Sequence, residues 1–282
     1  MDDQNRKWKV VRDGSIRCTD RNGNSENGEY SVEVVSPICV YDDIETIQQL
    51  VRNLRAGGAV ANSSCGIHIH INGAPYDAKS LRNLTNIMNS KENLIYKALK
   101  VNVSREHRYC QKVDQQFLEE LNRRKPKNID AVQNIWYGGR DGSHEHYHES
   151  RYHCLNLHSL FSKGTIEFRL FNSTTHAGKI KAYIQLCLAI SNQALTQRCA
   201  SRRVTESSNE KYTFRTWLLR LGMIGDEFKT ARQHLLKNLD GCIAWKDPQQ
   251  AVLQRERLSE NRIRQEEEYC EETESEGMTM SM

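Results

Sequence analysis

Gly66-Ile67-His68-Ile69-His70-Ile71 alternates without a break, and that alternation decides the fold. A period of two is the period of a β-strand with one buried and one open face. Isoleucines take one face and imidazoles the other. Two more stretches repeat the arrangement. Residues 165–170 set Ile166, Phe168 and Leu170 against Thr165, Glu167 and Arg169. Residues 29–35 set Tyr30, Val32 and Val34 against Glu29, Ser31 and Glu33. Strands that are apolar on one face only belong to antiparallel sheets, whereas strands buried on both faces read as continuous apolar runs. The expectation is therefore an α+β fold: a mostly antiparallel sheet with helices covering one face and the other face open.

Helical spacing fills the intervals. Residues 43–56 carry Ile44, Ile47, Leu50, Val51 and Leu54, with Asp42 or Asp43 as N-cap and Gly57-Gly58 as the stop. Residues 78–100 predict a helix with Leu81, Leu84, Ile87, Met88, Ile95 and Leu99 buried, and helices are also predicted at 114–123 and 177–197. Residues 8–16 predict a strand. Residues 152–158 and 164–171 predict a hairpin turning at Ser162-Lys163-Gly164. The Gly- and His-rich stretch 137–150 reads as a loop with His144, His146 and His148 solvated. Residues 1–200 are expected to form a catalytic domain and 201–248 a helical extension of it, with short helices near 213–221 and 226–238. Residues 249–282 are expected to be a charged, disordered tail.

Composition excludes several classes. No apolar run approaches the roughly 18–20 residues that span a bilayer, so no membrane partner is expected. The opening MDDQNRKWKVV lacks the apolar segment of a signal peptide. Nine cysteines are scattered with no C-x-x-C pair, which argues against a disulfide framework and a cysteine zinc site. A cytoplasmic protein with reduced thiols is expected. The net charge of +4 hides an asymmetry: residues 265–282 hold seven Glu and no Lys or Arg, so the remainder carries +11. A basic body suits anionic ligands without choosing among them. Nucleic acid is not the expected partner, and the oligomeric state stays open. Neither a Gly-rich phosphate loop nor G-x-S-x-G is present.

The open face carries the chemistry. A strand facing only solvent usually shows Lys, Thr and Ser, not imidazoles, carboxylates and a guanidinium together. Glu33 and Glu167 offer oxygen ligands to a hard cation such as magnesium, and His68 could complete that shell or meet a phosphate. Plainer readings exist for each: Glu33 as a surface carboxylate, Glu167 and Arg169 as an ion pair, the two histidines as a hydrogen-bonded surface pair. On residues alone, a zinc hydrolase built on His68, His70 and Glu167 and a non-catalytic nucleotide- or peptide-binding protein also stay open.

Four motifs, EVVSP at 33–37, CGIHIHI at 65–71, RYHCLNLHSL at 151–160 and GTIEFRLF at 164–171, resemble in order and spacing the amidoligase family. These are relatives of glutamine synthetase and glutamate–cysteine ligase, and the resemblance covers residues 8–240. It implies a curved antiparallel sheet forming an active-site funnel, and ATP and Mg2+ as cofactors. It implies a small-molecule or peptide carboxylate activated as an acyl phosphate and captured by an amine. By the same resemblance Glu33, His68 and Glu167 are metal ligands, and Arg169 and Arg151 are catalytic. Asn156, His70, Arg105 and Arg108 then bind nucleotide or substrate. The family's opening G-x-E-x-E strand has no counterpart before WKVVRDGSI, which leaves three expectations open: a start that is cut short, fewer metal carboxylates, or an impaired activity.

Overall fold

The alternating stretches fold as strands, but into two separate sheets. The computed structural model describes residues 2, 4–20, 22–247, 249–250 and 252–264. Strand β1 (Lys9–Arg12) pairs antiparallel with β2 (Val32–Val35) as a two-stranded ribbon. The main sheet holds β3 (Gly66–Asn72), β4 (Leu155–Asn156) and β5 (Thr165–Asn172) in the order β3-β5-β4, antiparallel throughout. Around them run α1 (Ile44–Ala56), α2 (Ala78–Leu99), α3 (Val103–Arg108), α4 (Gln115–Arg124), α5 (Ile129–Trp136), α6 (His158–Lys163), α7 (Ala177–Thr196), α8 (Glu210–Arg220) and α9 (Lys229–Leu236). The fold is α+β with open antiparallel sheets, as the periodicity predicts.

The core lies on one side of the main sheet. Ile166, Phe168, Leu170 and Phe171 of β5 are buried with Leu81, Leu84 and Met88 of α2 and Leu186 of α7. The Phe171 ring stacks on Tyr183 of α7, with centroids 4.5 Å apart. Phe171 reaches this side because β5 carries a bulge. Ile67 pairs with Phe171 but Ile69 pairs with Phe168, so three steps on β5 match two on β3. One extra residue switches which parity of side chain faces the core. Strict alternation would have left Phe171 beside Arg169 on the open face.

Helix α2 starts at an Asp77–Ser80 capping box and ends at Lys100 in the left-handed region. Its apolar stripe is the predicted one, but a second, polar row is buried as well. Asn83, Asn86, Asn89 and Ser90 donate to the carbonyls of Gln197, Ala200, Arg202 and Arg203. They clamp the extended segment that follows α7.

Three predicted features change. The row Tyr30-Val32-Val34 does not face a core: Tyr30 lies in a 3-10 turn at 73% exposure and Val32 is 45% exposed. Among the described residues no further strand joins the ribbon, and Ser31, just before β2, is buried and donates to the Ile16 carbonyl. The predicted hairpin keeps its pairing, Leu155 with Phe168 and Asn156 with Glu167, but is joined by α6 rather than a turn. Leu157, Leu160 and Phe161 have helical spacing, and Gly164 at φ 74° ends the helix. Residues 249–250 and 252–264 are helical and exposed, not disordered. The disorder expected for 265–282 falls outside the described residues.

The chain divides into two units. One comprises residues 1–205 and 218–238, the other 206–217 and 239–282. All site residues below belong to the first.

Candidate functional site

The pairing of three strands makes a row across the open face: His70 on β3, Glu167 on β5 and Asn156 on β4 are direct cross-strand neighbours. Glu167 is the hub and is 4% exposed. Its Oε1 accepts from Arg169 Nη1 at 2.7 Å and lies 3.1 Å from His68 Nδ1 and 3.7 Å from His70 Nε2. Its Oε2 accepts from Asn156 Nδ2 at 2.5 Å. Burial raises the affinity of this carboxyl for protons. Arg169, then the two histidines and the Asn156 amide, outweigh it, and the net shift is downward, so Glu167 is ionised at neutral pH.

Arg169 is 5% exposed and fixed on every side. Besides Glu167 it donates from Nε to the Tyr109 carbonyl at 3.3 Å, and its guanidinium lies 5.8 Å from the Tyr152 ring centroid. Desolvation, followed by the nearby Arg169 charge, holds His68 down to about 3. His68 is therefore neutral at pH 7, and Nδ1 is the ring nitrogen that stands beside Glu167. His70 is also pulled down by burial. Its Nδ1 lies 2.9 Å from Thr165 Oγ1 and 3.4 Å from Ser159 Oγ.

A pocket of about 280 Å³ opens above this hub. Asn156 and Glu167 lie in its floor, with His158, Ser159, Ser162 and Lys163 of α6, Arg151, and Ser143, His144, Glu145 and His146 of the loop. The loop is tied down. Tyr137 Oη lies 2.6 Å from His158 Nδ1, and the His148 ring stacks on His158 with centroids 5.7 Å apart. Arg151 donates from Nη1 to the His146 carbonyl at 2.7 Å, with its guanidinium near Tyr147 and Tyr152. His144 and His146 line the rim of the cavity and stay exposed, as the sequence predicts, whereas His148 is half-buried against Tyr137 and His158.

Most predicted site residues converge: Arg151, Asn156 and Glu167 in the pocket, with His68, His70 and Arg169 on Glu167. Three do not. Glu33 is joined to neither His68 nor Glu167 by a hydrogen bond or ion pair among the described residues. Glu167 acts on it only at a distance: burial, then Asp13 and Glu167, raise its carboxyl. Arg105 is 3% exposed and spends its guanidinium on the carbonyls of Cys65 (2.9 Å) and Arg169 (3.4 Å), so it braces strand ends from within. Arg108 is exposed and lies over the Tyr109 ring at 6.0 Å, outside the pocket.

The metal set implied by the resemblance is not assembled. Among the described residues no three His, Cys, Asp or Glu stand together as a metal site. Glu167 has both oxygens engaged and Glu33 stands apart. These residues do not fit a protein-held magnesium centre, which needs an octahedral shell of hard oxygens at about 2.0–2.1 Å.

The sequence reading missed His158, Ser159 and Lys163 as pocket residues. Their signal is a helical one: Ser159, Ser162 and Lys163 share a face at i, i+3 and i+4 once 158–163 is a helix. Treated as a turn, they have no common side.

None of the curated proteins and none of the solved structures gives a match. A family model described as "putative amidoligase enzyme" matches residues 1–191, which include every residue of the pocket and its hub. The chain belongs to the amidoligase family, whose members are ligase-type enzymes.

Proposed function

We propose that this protein is an ATP-dependent carboxylate–amine ligase that forms an amide bond on a small carboxylate-bearing substrate through an acyl phosphate. The observation that carries the reading is the pairing of a cationic pocket wall, Arg151 and Lys163, with Glu167 in the floor of the same pocket, held from behind by the buried Arg169. Positive groups around a small cavity hold a carboxylate or phosphoryl group and stabilise the charge that develops on it.

ATP supplies the phosphoryl group that makes the carboxylate reactive. The pocket of about 280 Å³ takes the reacting groups of the substrate and the nucleotide. Arg151 and Lys163 bind the anionic groups at the wall. Glu167 orients Arg169 and His68. The loop pinned by Tyr137 and His158 limits the access of water, which would otherwise hydrolyse the activated acyl group. We assign magnesium to the nucleotide phosphates rather than to a protein cage. The cytoplasmic assignment rests on the described cysteines, eight in number and all unpaired. No helix among the described residues is long and apolar enough to cross a membrane.

The test is ADP release and hydroxamate formation from Mg·ATP, hydroxylamine and a panel of amino acids and short peptides. At least one carboxylate should give turnover, and Glu167→Gln should lower it about 100-fold or more through loss of the charge that orients Arg169. Turnover unchanged in Glu167→Gln, or none with any carboxylate in the panel, rejects the reading.

A further inference from the structure

Ser159 stands where a nucleophile would stand. Its Oγ lies 3.4 Å from His70 Nδ1 and 2.9 Å from Thr165 Oγ1, and Thr165 Oγ1 is itself 2.9 Å from that nitrogen. The other ring nitrogen, Nε2, faces Glu167 Oε1 at 3.7 Å. Hydroxyl, imidazole and carboxylate therefore stand in the order that activates a serine: the base takes the hydroxyl proton, and the carboxylate orients the ring and stabilises its positive charge. Two of the links are longer than closed hydrogen bonds, as is common before a ligand tightens a site.

Three observations distinguish this file from a chance row of polar groups. Ser159 lines the 280 Å³ pocket, so a bound acyl group would touch it, whereas Thr165 is not part of the lining. His70 is held at Nδ1 by Thr165, which turns its other nitrogen toward Glu167. The carboxylate end is locked, because Asn156 and Arg169 hold Glu167 in place. None of this uses a metal or a nucleotide.

We propose that Ser159, His70 and Glu167 form an acyl-transfer triad that hydrolyses esters of small, carboxylate-bearing acids, an activity separate from amide ligation. Ser159 Oγ attacks the ester carbonyl carbon as its proton passes to His70 Nδ1, directly or through Thr165. The bond from the carbonyl carbon to the alcohol oxygen then breaks. The alcohol leaves with that electron pair and takes the proton from His70. A water molecule repeats the sequence on the acyl-serine, releasing the acid and restoring Ser159. Lys163 and Arg151 set the preference for an acyl group with a second carboxylate. Thr165 is a positioning residue, since it holds the ring nitrogen that Ser159 addresses.

A fluorophosphonate probe tests the nucleophile without knowledge of the natural ester. The full chain should gain one adduct by intact mass, mapped to the peptide containing Ser159. Ser159→Ala should take none. His70→Gln should label about 100-fold more slowly, and Thr165→Val about tenfold, each with a melting temperature near that of the parent. No adduct on Ser159, or unchanged labelling in His70→Gln, overturns the proposal. If His70→Gln fails to fold, Ser159→Cys decides: alkylation by iodoacetamide should report a thiol titrating well below the ordinary value near 8.5, and an ordinary profile overturns it. The p-nitrophenyl monoester of succinate should be cleaved at least about tenfold faster than that of butyrate; equal rates remove the charge preference. Failure of the ligase assay leaves the labelling result unaffected, so the two readings fail separately.

Discussion

Glu167 governs the site because four side chains lean on its two oxygens. Removing it leaves the buried Arg169 guanidinium without its partner. Glu167→Ala should therefore cost about 3–5 kcal/mol in urea unfolding, while Glu167→Gln, which keeps the shape and one acceptor, should cost clearly less. His68 gives a pH prediction. Its folded value near 3 lies below the ordinary value near 6.5, so between these limits the unfolded chain binds a proton that the folded chain refuses. Stability should fall as pH drops from about 6.5 toward 3. Glu167, also depressed, contributes in the same direction as pH falls through its own range. His68→Gln should reduce the acid loss, and the His68 ring resonances should not titrate between pH 5 and 8. At this scale period two made His68, His70, Glu167 and Arg169 legible, because it places them on one face, whereas Asn156 was legible through the family resemblance alone. Glu33, Arg105 and Arg108 were not. Periodicity names a face but not a sheet, and a basic run does not show that one guanidinium is consumed by carbonyls behind the strands.

At the scale of elements, the polar row of α2 has the clearest consequence. Asn83, Asn86 and Asn89 recur every three residues, yet the apolar stripe alone was read from that helix. Nothing in the spacing says which backbone the amides will meet, since the partner segment lies over a hundred residues away. Asn86→Ala leaves the half-buried Ala200 carbonyl without its donor and also removes the Asn122 contacts. It should cost about 1–3 kcal/mol by denaturant unfolding. Gly66 is a second case. A Cβ there would run into the Arg105 guanidinium that braces Cys65 and Arg169. Gly66→Ala should lower the melting temperature and weaken the pairing of β3 with β5, seen as faster amide exchange at Ile67 and Ile69.

On the scale of the molecule, the helical extension expected from residue 201 onward is divided between the two units. Residues 201–205 and 218–238 belong with 1–200, and α9 packs on α7. A chain of residues 1–200 should show no cooperative thermal transition, whereas residues 1–248 should unfold within a few degrees of the full chain. The composition change after Ser201 is real, but it marks a clamped extended segment rather than a boundary. Polar sequence signals solvent exposure unless another element supplies donors for its carbonyls, and here α2 supplies them. The same arrangement has a consequence in time. Every residue of the pocket has left the ribosome soon after β5, but the segment that covers the amide row of α2 ends at 205 and α9 ends at Leu236. At about 5–20 residues per second, the nascent chain spends on the order of several seconds with its site residues made and its central helix uncovered on two sides. The growing protein is thus most vulnerable late in synthesis, after its chemistry has been written and before its frame has closed.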